Sequence, residues 1–274
     1  MKNKFYYFFF IQTLFALDFT VLTYNIHGLT PIIAGDAPQS RIPIILEKSK
    51  DYDFILIQEN WIFNINYFSK KLPNHKWIVS HNSKFSWPIK SWINSNGSGL
   101  TMGISSDYKI LNIHEERFST CSGWFGKAND CLATKGFQHI SIEIDGEVLD
   151  LYNTHLDAGN AIEDVSARKQ QIEHLTKYIH QHSAGCPIVL AGDLNINYFS
   201  DEKIVLSRLA NELDLEILDW VNTAEERPTQ VLDYILFRNS LTLDISAIDF
   251  GVDISLNGLS DHPPITAVFE SKNK

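Results

Sequence analysis

Apolar positions in this chain come mostly in short runs rather than in long amphipathic stretches. Runs rich in Val, Ile, Leu, Phe, Tyr and Thr at 18–26, 53–58, 76–80, 99–105, 109–114 and 137–144 read as strands. So do those at 148–155, 187–192, 231–237, 241–249 and 264–270. Asp145-Gly146 separates two alternating runs, which predicts a tight hairpin turn. Helical spacing is clearest over 161–182, where Ile162, Val165, Ile172, Leu175 and Ile179 fall on one face. Shorter helices are expected near 38–49 and 202–212. No internal repeat, low-complexity tract or Pro/Ser-rich linker interrupts the pattern. Many strands with helices between them suggest two packed sheets with helices outside, a four-layer α/β sandwich.

A second pattern lies where the apolar runs stop. They end at Tyr-Asn25, Gln-Glu59, Thr-His155-Leu-Asp157, Ala-Gly-Asp193-Leu-Asn195 and Ser-Asp261-His262. A strand that stops at such a residue holds the side chain at a sheet edge, where several ends can converge. Carboxylates, amides and imidazoles without cysteine suit a hard divalent cation and phosphate chemistry. Each piece alone has a plainer reading. Asn25 before Gly28 is a turn residue, Glu59 a salt-bridged rim residue, and Asp193-Leu-Asn195 an Asx-turn closing a strand. Asp157 reads as part of the turn into the long helix, and Arg168 and Gln171 on that helix read as structural. Extended backbone aims residues two apart to one side, so Asp193 and Asn195 can act together. Attack of water on a phosphodiester needs one group for the water and another for the charge that builds on the phosphoryl oxygens.

These five motifs, together with Leu-Asp233-Tyr-Ile before the last of them, resemble over about residues 19–270 the endonuclease/exonuclease/phosphatase superfamily of metal-dependent phosphoesterases. That resemblance implies a DNase I-like sandwich of two mixed sheets flanked by helices, and Mg²⁺ as cofactor with Mn²⁺ able to substitute. It implies Glu59 as the principal metal ligand, helped by Asn25. Asp193 is expected at the attacking water and Asn195 at the phosphoryl oxygen. His262 pairs with Asp233, and Asp261 is a further metal ligand or a partner of His155. Which of His155 and His262 is base, acid or electrostatic clamp stays open.

Within that superfamily, Asp130-Cys-Leu-Ala-Thr-Lys135-Gly136-Phe137 resembles a segment of neutral sphingomyelinases, as do the Gly99 to Ser106 stretch and Thr-His-Leu-Asp-Ala. Lys135 would then offset substrate phosphate charge as a point cation. Bacterial sphingomyelinases carry an aromatic-tipped hairpin in the region matching Arg238 to Leu259, where this chain has only Phe250. Trp87, Trp92 or Trp124-Phe125 are substitute interfacial anchors or buried loop aromatics. The expected activity is a sphingomyelinase-like phospholipase C, acting on a phospholipid headgroup at a membrane surface. The alternatives are a nuclease on DNA or RNA, an inositol- or sugar-phosphate phosphatase, and a non-catalytic binder of the same fold.

Composition adjusts this picture. The motifs span both ends of 274 residues, so 17–274 is expected as a single domain and a monomer. A formal charge of −10 argues against a broad basic surface for nucleic acid, and no Lys/Arg cluster interleaves with aromatics. Met-Lys-Asn-Lys followed by the apolar Phe5 to Leu17 resembles a signal peptide over 1–16, too short for a comfortable membrane span. That favours a secreted or periplasmic protein over a cytoplasmic one, the plainer reading being an apolar strand. Cys121 and Cys131 bracket a turn-rich loop. A disulfide there contributes about 2–3 kcal/mol in an oxidising compartment, and the alternative is two unpaired thiols. Cys186, before Pro187 and an apolar strand, is expected as a small core residue. None of the three has zinc-site spacing.

Overall fold

The computed structural model describes residues 17–31, 35–81, 97–123, 130–222 and 228–274. The proposed signal peptide and the tryptophans at 87, 92 and 124 with Phe125 lie outside them. Twelve strands among these residues form two six-stranded sheets. The first has the order β11 (Leu243–Val252), β12 (Ile265–Asn273), β1 (Leu17–Gly28), β2 (Phe54–Asn60), β4 (Thr101–Ser105), β3 (His75–Val79). The second runs β5 (Lys109–Arg117), β6 (Gly136–Ile144), β7 (Glu147–His155), β8 (Ile188–Asp193), β10 (Asp233–Arg238), β9 (Glu216–Ile217). Both are mixed: β1 pairs with β2, and β7 with β8, in parallel, and every other pairing is antiparallel.

Strand alternation explains the layering. On β1, Phe19 and Val21 face a core shared with the second sheet, while Leu22, Tyr24 and Ile26 face the opposite side. β2 divides likewise, with Phe54 and Leu56 inward and Ile55 and Ile57 outward. The outward set packs with Ile42, Ile45 and Leu46 of helix α1 (Pro38–Lys48) and Phe68 of helix α2 (Ile65–Lys71). The second sheet is covered by α4 (Ile162–His182) through Ile172, Leu175 and Ile179, and by α5 (Lys203–Glu212). The result is the expected four-layer α/β sandwich, in which β1 and β2 are apolar on both faces because both faces are covered.

Asp145 and Gly146, with φ of 53° and 83°, close the predicted β6–β7 hairpin. Three expectations change. Ile162, assigned to the buried face of α4, is 80% exposed. In the first turn the inward side belongs to Asp164, whose carboxylate accepts the Ala161 N–H at 2.9 Å. Cys186 is half-buried at the mouth of β8 rather than in the core. Helix α2 was not predicted: it is seven residues long, too short for a periodic signal, and starts where Asn64 Oδ1 accepts the Tyr67 N–H at 3.1 Å.

Candidate active site

The strand registers carry the site. His155 on β7 pairs with Asp193 on β8, and Asp193 with Asp233 on β10, so three ionisable side chains form a row across one sheet end. Each strand turns from apolar to polar as it approaches that end: Leu149, Leu151, Asn153, His155 on β7, and Val189, Ala191, Asp193 on β8. Across the interface β1 runs Phe19, Val21, Thr23, Asn25, and β2 runs Phe54, Leu56, Gln58. Polar contacts therefore replace hydrophobic ones between the sheets. Gln58 Nε2 donates to Thr23 Oγ1 at 3.0 Å and to Asn153 Oδ1 at 2.7 Å, and Asn153 Nδ2 donates to Ile57 O at 3.0 Å. This ladder forms the floor beneath the site.

Above it, Asn25 Nδ2 donates to Asp193 Oδ2 at 3.0 Å, which joins the two sheets at this end. The same carboxylate oxygen lies 3.3 Å from His155 Nε2 and 3.7 Å from His262 Nε2. Its other oxygen accepts the Asn195 N–H at 3.0 Å. Burial alone would raise the Asp193 pKa, but His262 and His155 outweigh it and hold the carboxyl well below its usual range. His262 Nδ1 sits 2.8 Å from Asp233 Oδ2. Burial opposes the charge on this imidazole, and the Asp233 and Asp193 carboxylates overcome it and raise its pKa. The proton of the Asp233–His262 pair therefore resides on the imidazole.

Lys135 Nζ lies 2.6 Å from His155 Nε2 and 3.4 Å from Asp130 Oδ1, buried with both. Asp130 Oδ2 in turn accepts the Ala158 N–H at 2.8 Å. The neighbouring Cys121 and Cys131 form a disulfide with Cα atoms 5.1 Å apart. Asp157 is fully buried and accepts from Ser122 N and Gln171 Nε2, both at 2.6 Å, so it anchors the disulfide loop. Arg168 is also buried, pairs with Glu202 at 2.6 Å and donates to Asp157 O and Gly159 O.

Backbone conformation is unusual where the site needs it. Glu59 and Asn195 have φ of 58° and 50°, a region non-glycine residues enter at a cost of about 1–3 kcal/mol. Gly192 has φ of 146°, and a Cβ there would lie 2.0 Å from Thr154 O. Only glycine lets β8 approach β7 closely enough to set Asp193 beside His155.

Two places suit a cation. Asp193, Asp233 and His262 bring ligating atoms within 4.8 Å of one another, but here they are already tied by hydrogen bonds and a shared proton. Glu59 Oε1 lies 4.0 Å from His155 Nε2, is 20% exposed, and accepts no hydrogen bond among the described residues. A carboxylate without a donor, one residue beyond the Gln58 that pairs with Asn25, fits a hard divalent cation, and the Asn25 amide oxygen, which accepts the His27 N–H at 3.0 Å, keeps a second lone pair for it. Asp261 stands apart. Its carboxylate is 61% exposed, 3.8 Å from His27 Nδ1 and hydrogen-bonded to Ser260 Oγ, and His155 finds its partners in Lys135, Asp193 and Glu59. Of the two roles expected of Asp261, metal ligand or partner of His155, the second has no contact here, and the carboxylate meets His27 instead because the 253–262 loop crosses the rim. Asn195 Nδ2 donates to Leu156 O at 2.9 Å, at the outer edge of the row.

The family comparison agrees with this geometry. The model of the Endonuclease/Exonuclease/phosphatase family matches residues 22–262. The chain belongs to that family. Among curated proteins it is 24% identical to a sphingomyelinase of Mycobacterium tuberculosis, over 92% of this chain and 52% of the relative. The chain thus spans about half the length of the curated relatives it matches. Among solved structures it shares its fold with sphingomyelinase C from Streptomyces griseocarneus, with TM-score 0.68, 19% identity, and coverage of 92% of this chain and 99% of that one. It also resembles a beta toxin from Staphylococcus aureus with bound magnesium ions, with TM-score 0.65, 18% identity, and 92% and 99% coverage.

Several residues of this family site are not evident from the sequence. Gln58 and Asn153 precede the motif residues and read as ordinary strand polar positions, yet they build the floor. Arg41 on α1 lies far from any motif, whereas Asp130, which opens the short helix α3 (Asp130–Ala133), was marked only by its place in the Lys135-Gly136 segment. For the floor, only the strand-end position of Asn153 two residues before His155, and of Gln58 next to Glu59, offered a signal.

Proposed function

We propose that the chain is a divalent-cation-dependent phosphodiesterase, a sphingomyelinase-like phospholipase C acting on a phospholipid headgroup ester. The observation that carries this is the row Asp233–His262–Asp193–Asn25, hydrogen-bonded at Asp233–His262 and at Asp193–Asn25 and closed by the 3.7 Å approach of His262 to Asp193, with His155 and Glu59 beside it. Glu59 and Asn25 would hold Mg²⁺, with Mn²⁺ as substitute, and the cation would supply Lewis-acid stabilisation of phosphoryl charge. Asp193 orients the water and takes its proton as oxygen bonds to phosphorus and the ester P–O bond breaks. His262, kept charged by Asp233, donates to the phosphoryl group or to the departing oxygen. Asn195 would contact the phosphoryl oxygen, and Lys135, paired with His155, would offset its charge as a point cation. The reading places this activity in one domain from residue 17 onward, acting as an exported monomer.

The substrate class draws support from a cleft of about 640 Å³ that opens beside His262. Its apolar wall includes Trp220, Leu232, Val252 and Ile254, and its exposed charge is that of Asp261. No described residue lining it is Lys or Arg. A polynucleotide would carry its next phosphate toward Asp261 with no cation to meet it, whereas a single-phosphate organic ester would not. Ile254, which lines this cleft, is exposed, so its rim keeps apolar surface although no aromatic pair stands there. Among the described residues no helix is long and apolar enough to cross a membrane.

The test is a parallel assay with Mg²⁺ on sphingomyelin in mixed micelles and in bilayers, on phosphatidylcholine, on plasmid DNA and on inositol phosphates. Release of phosphocholine from micelles, weaker release from bilayers, and reduction of both by Lys135→Ala are expected. Rapid DNA cleavage without release from either lipid form would move the protein to the nuclease branch.

A further inference from the structure

The two halves of the site rest on segments that no strand pairing joins directly at the mouth. One half is the end of β1, which carries Asn25 and packs on the end of β2 where Glu59 sits: Gly28 pairs with Asn60, and Trp61 N donates to Gly28 O at 3.2 Å. The other is the 253–262 loop, which carries His262. Side chains hold these segments together. Tyr24 Oη donates to Leu256 O at 3.1 Å, and Ser260 Oγ donates to Asn25 O at 2.8 Å.

The third tie comes from outside both segments. Arg41, on the first turns of α1, donates Nη1 to Ile26 O, Nη2 to His27 O at 2.5 Å, and Nη1 again to Leu259 O at 3.3 Å. Its Nε donates to Asp36 Oδ2 at 2.8 Å, which orients the guanidinium plane. The side chain is only 14% exposed. One planar, permanently charged fork thus holds the peptide carbonyls that follow Asn25 and the one that precedes Ser260-Asp261-His262. Ile26 and His27 fall outside the β1–β2 register, because β1 has its bulge between Asn25 and Gly28 and His27 lies in the left-handed region at φ 45°. Without the Arg41 donors the turn at His27 would relax, and only the Tyr24 and Ser260 bonds would tie Asn25 to the His262 loop.

We propose that Arg41 is a positioning residue that sets the separation between the Asn25–Glu59 end of the site and His262. This rests on the phosphodiesterase reading for its kinetic consequence, but not for its structural one. Arg41 touches no reacting group and acts through the Ile26, His27 and Leu259 carbonyls. Lysine cannot reproduce it, since a point donor reaches one or two of the three carbonyls and loses the Asp36 brace.

The experiment uses the full chain with Arg41→Met and Arg41→Lys, and Asp36→Asn as the milder variant should Arg41→Met fold poorly. Each is measured for thermal midpoint, for kcat and KM on bis(p-nitrophenyl) phosphate, and for Mn²⁺ affinity by electron paramagnetic resonance. Misplacement by about an ångström costs on the order of a hundredfold in rate. Arg41→Met is expected to lower kcat roughly tenfold to a hundredfold with KM within about threefold, and to weaken Mn²⁺ binding several-fold in a protein still folded at the assay temperature. Arg41→Lys should recover part of both, and Asp36→Asn should show a smaller loss of the same kind. A folded Arg41→Met with wild-type kcat and Mn²⁺ affinity, or losses that track only the unfolded fraction, would overturn the assignment. If the wild type turns over no phosphodiester, the phosphodiesterase reading fails, and the Mn²⁺ affinities still decide whether Arg41 shapes the Asn25–Glu59 end.

Discussion

Asn25 and Asp193 lie 168 residues apart in sequence and on different sheets, yet the Asn25 amide donates to the Asp193 carboxylate at 3.0 Å. Both are buried. This bond is the point where the sandwich becomes a site, because it brings the Glu59 side of the first sheet against the His155–Asp193–Asp233 row of the second. Replacing Asn25 by Asp would set two carboxylates against each other. Asn25→Asp should therefore lower kcat by about a hundredfold and leave the secondary structure unchanged by circular dichroism. Activity within a few-fold of wild type would mean that the bond does not organise the site.

Glu59 bears the metal prediction. Glu59→Gln removes the carboxylate charge while keeping its shape, and should reduce the rate at least about a hundredfold. Chelation with EDTA should abolish wild-type activity and Mg²⁺ or Mn²⁺ should restore it. Full activity after exhaustive chelation would exclude a cation-dependent step.

The shared contacts of Asp193 and His262 predict non-additive losses. Asp193→Asn and His262→Ala should each lower kcat by roughly 10² or more, and the double variant should lose far less than the product of the two. Multiplicative losses would mean that the two act independently, contrary to their 3.7 Å approach.

Asp157 predicts a pH dependence of stability. Burial first, and then the nearby Asp130, raise its pKa from 3.8 to about 6 against the hydrogen bonds from Gln171 and Ser122. The folded state therefore holds this proton more tightly than the unfolded chain. Its contribution is fully present below about pH 4 and is lost as pH rises through 6, a change on the order of 1–3 kcal/mol. The stability of the wild type relative to Asp157→Asn should fall between pH 4 and 7 in urea titrations. A constant difference across that range would show that Asp157 is not protonated in the fold.

The Cys121–Cys131 disulfide closes the loop that Asp157 anchors. Cys121→Ser with Cys131→Ser should lower the unfolding free energy by about 2–3 kcal/mol. In the wild type, alkylation before reduction should label Cys186 alone. Labelling of all three thiols in native protein would contradict the bridge.

Much of this protein follows from local pattern. Alternation of side chains predicted the strands and the Asp145-Gly146 turn, helical period predicted α4, and the polar stops at Asn25, Glu59, His155, Asp193 and His262 marked one end of the sheets, because each signal depends only on neighbours along the chain. Asp233, at the start of its run, came from the family resemblance. What the tertiary structure decided depends on register between distant strands and on which segment crosses the rim. Register turned Gln58 and Asn153 into the floor of the site, and the outward course of the 253–262 loop sent Asp261 to His27 rather than to His155. The overhang of the first turn of α4 exposed Ile162, and the α1 packing delivered Arg41 to three carbonyls of two separate segments. No periodicity records such meetings, since their energy arises only once the two sheets have packed and desolvated the polar ends between them.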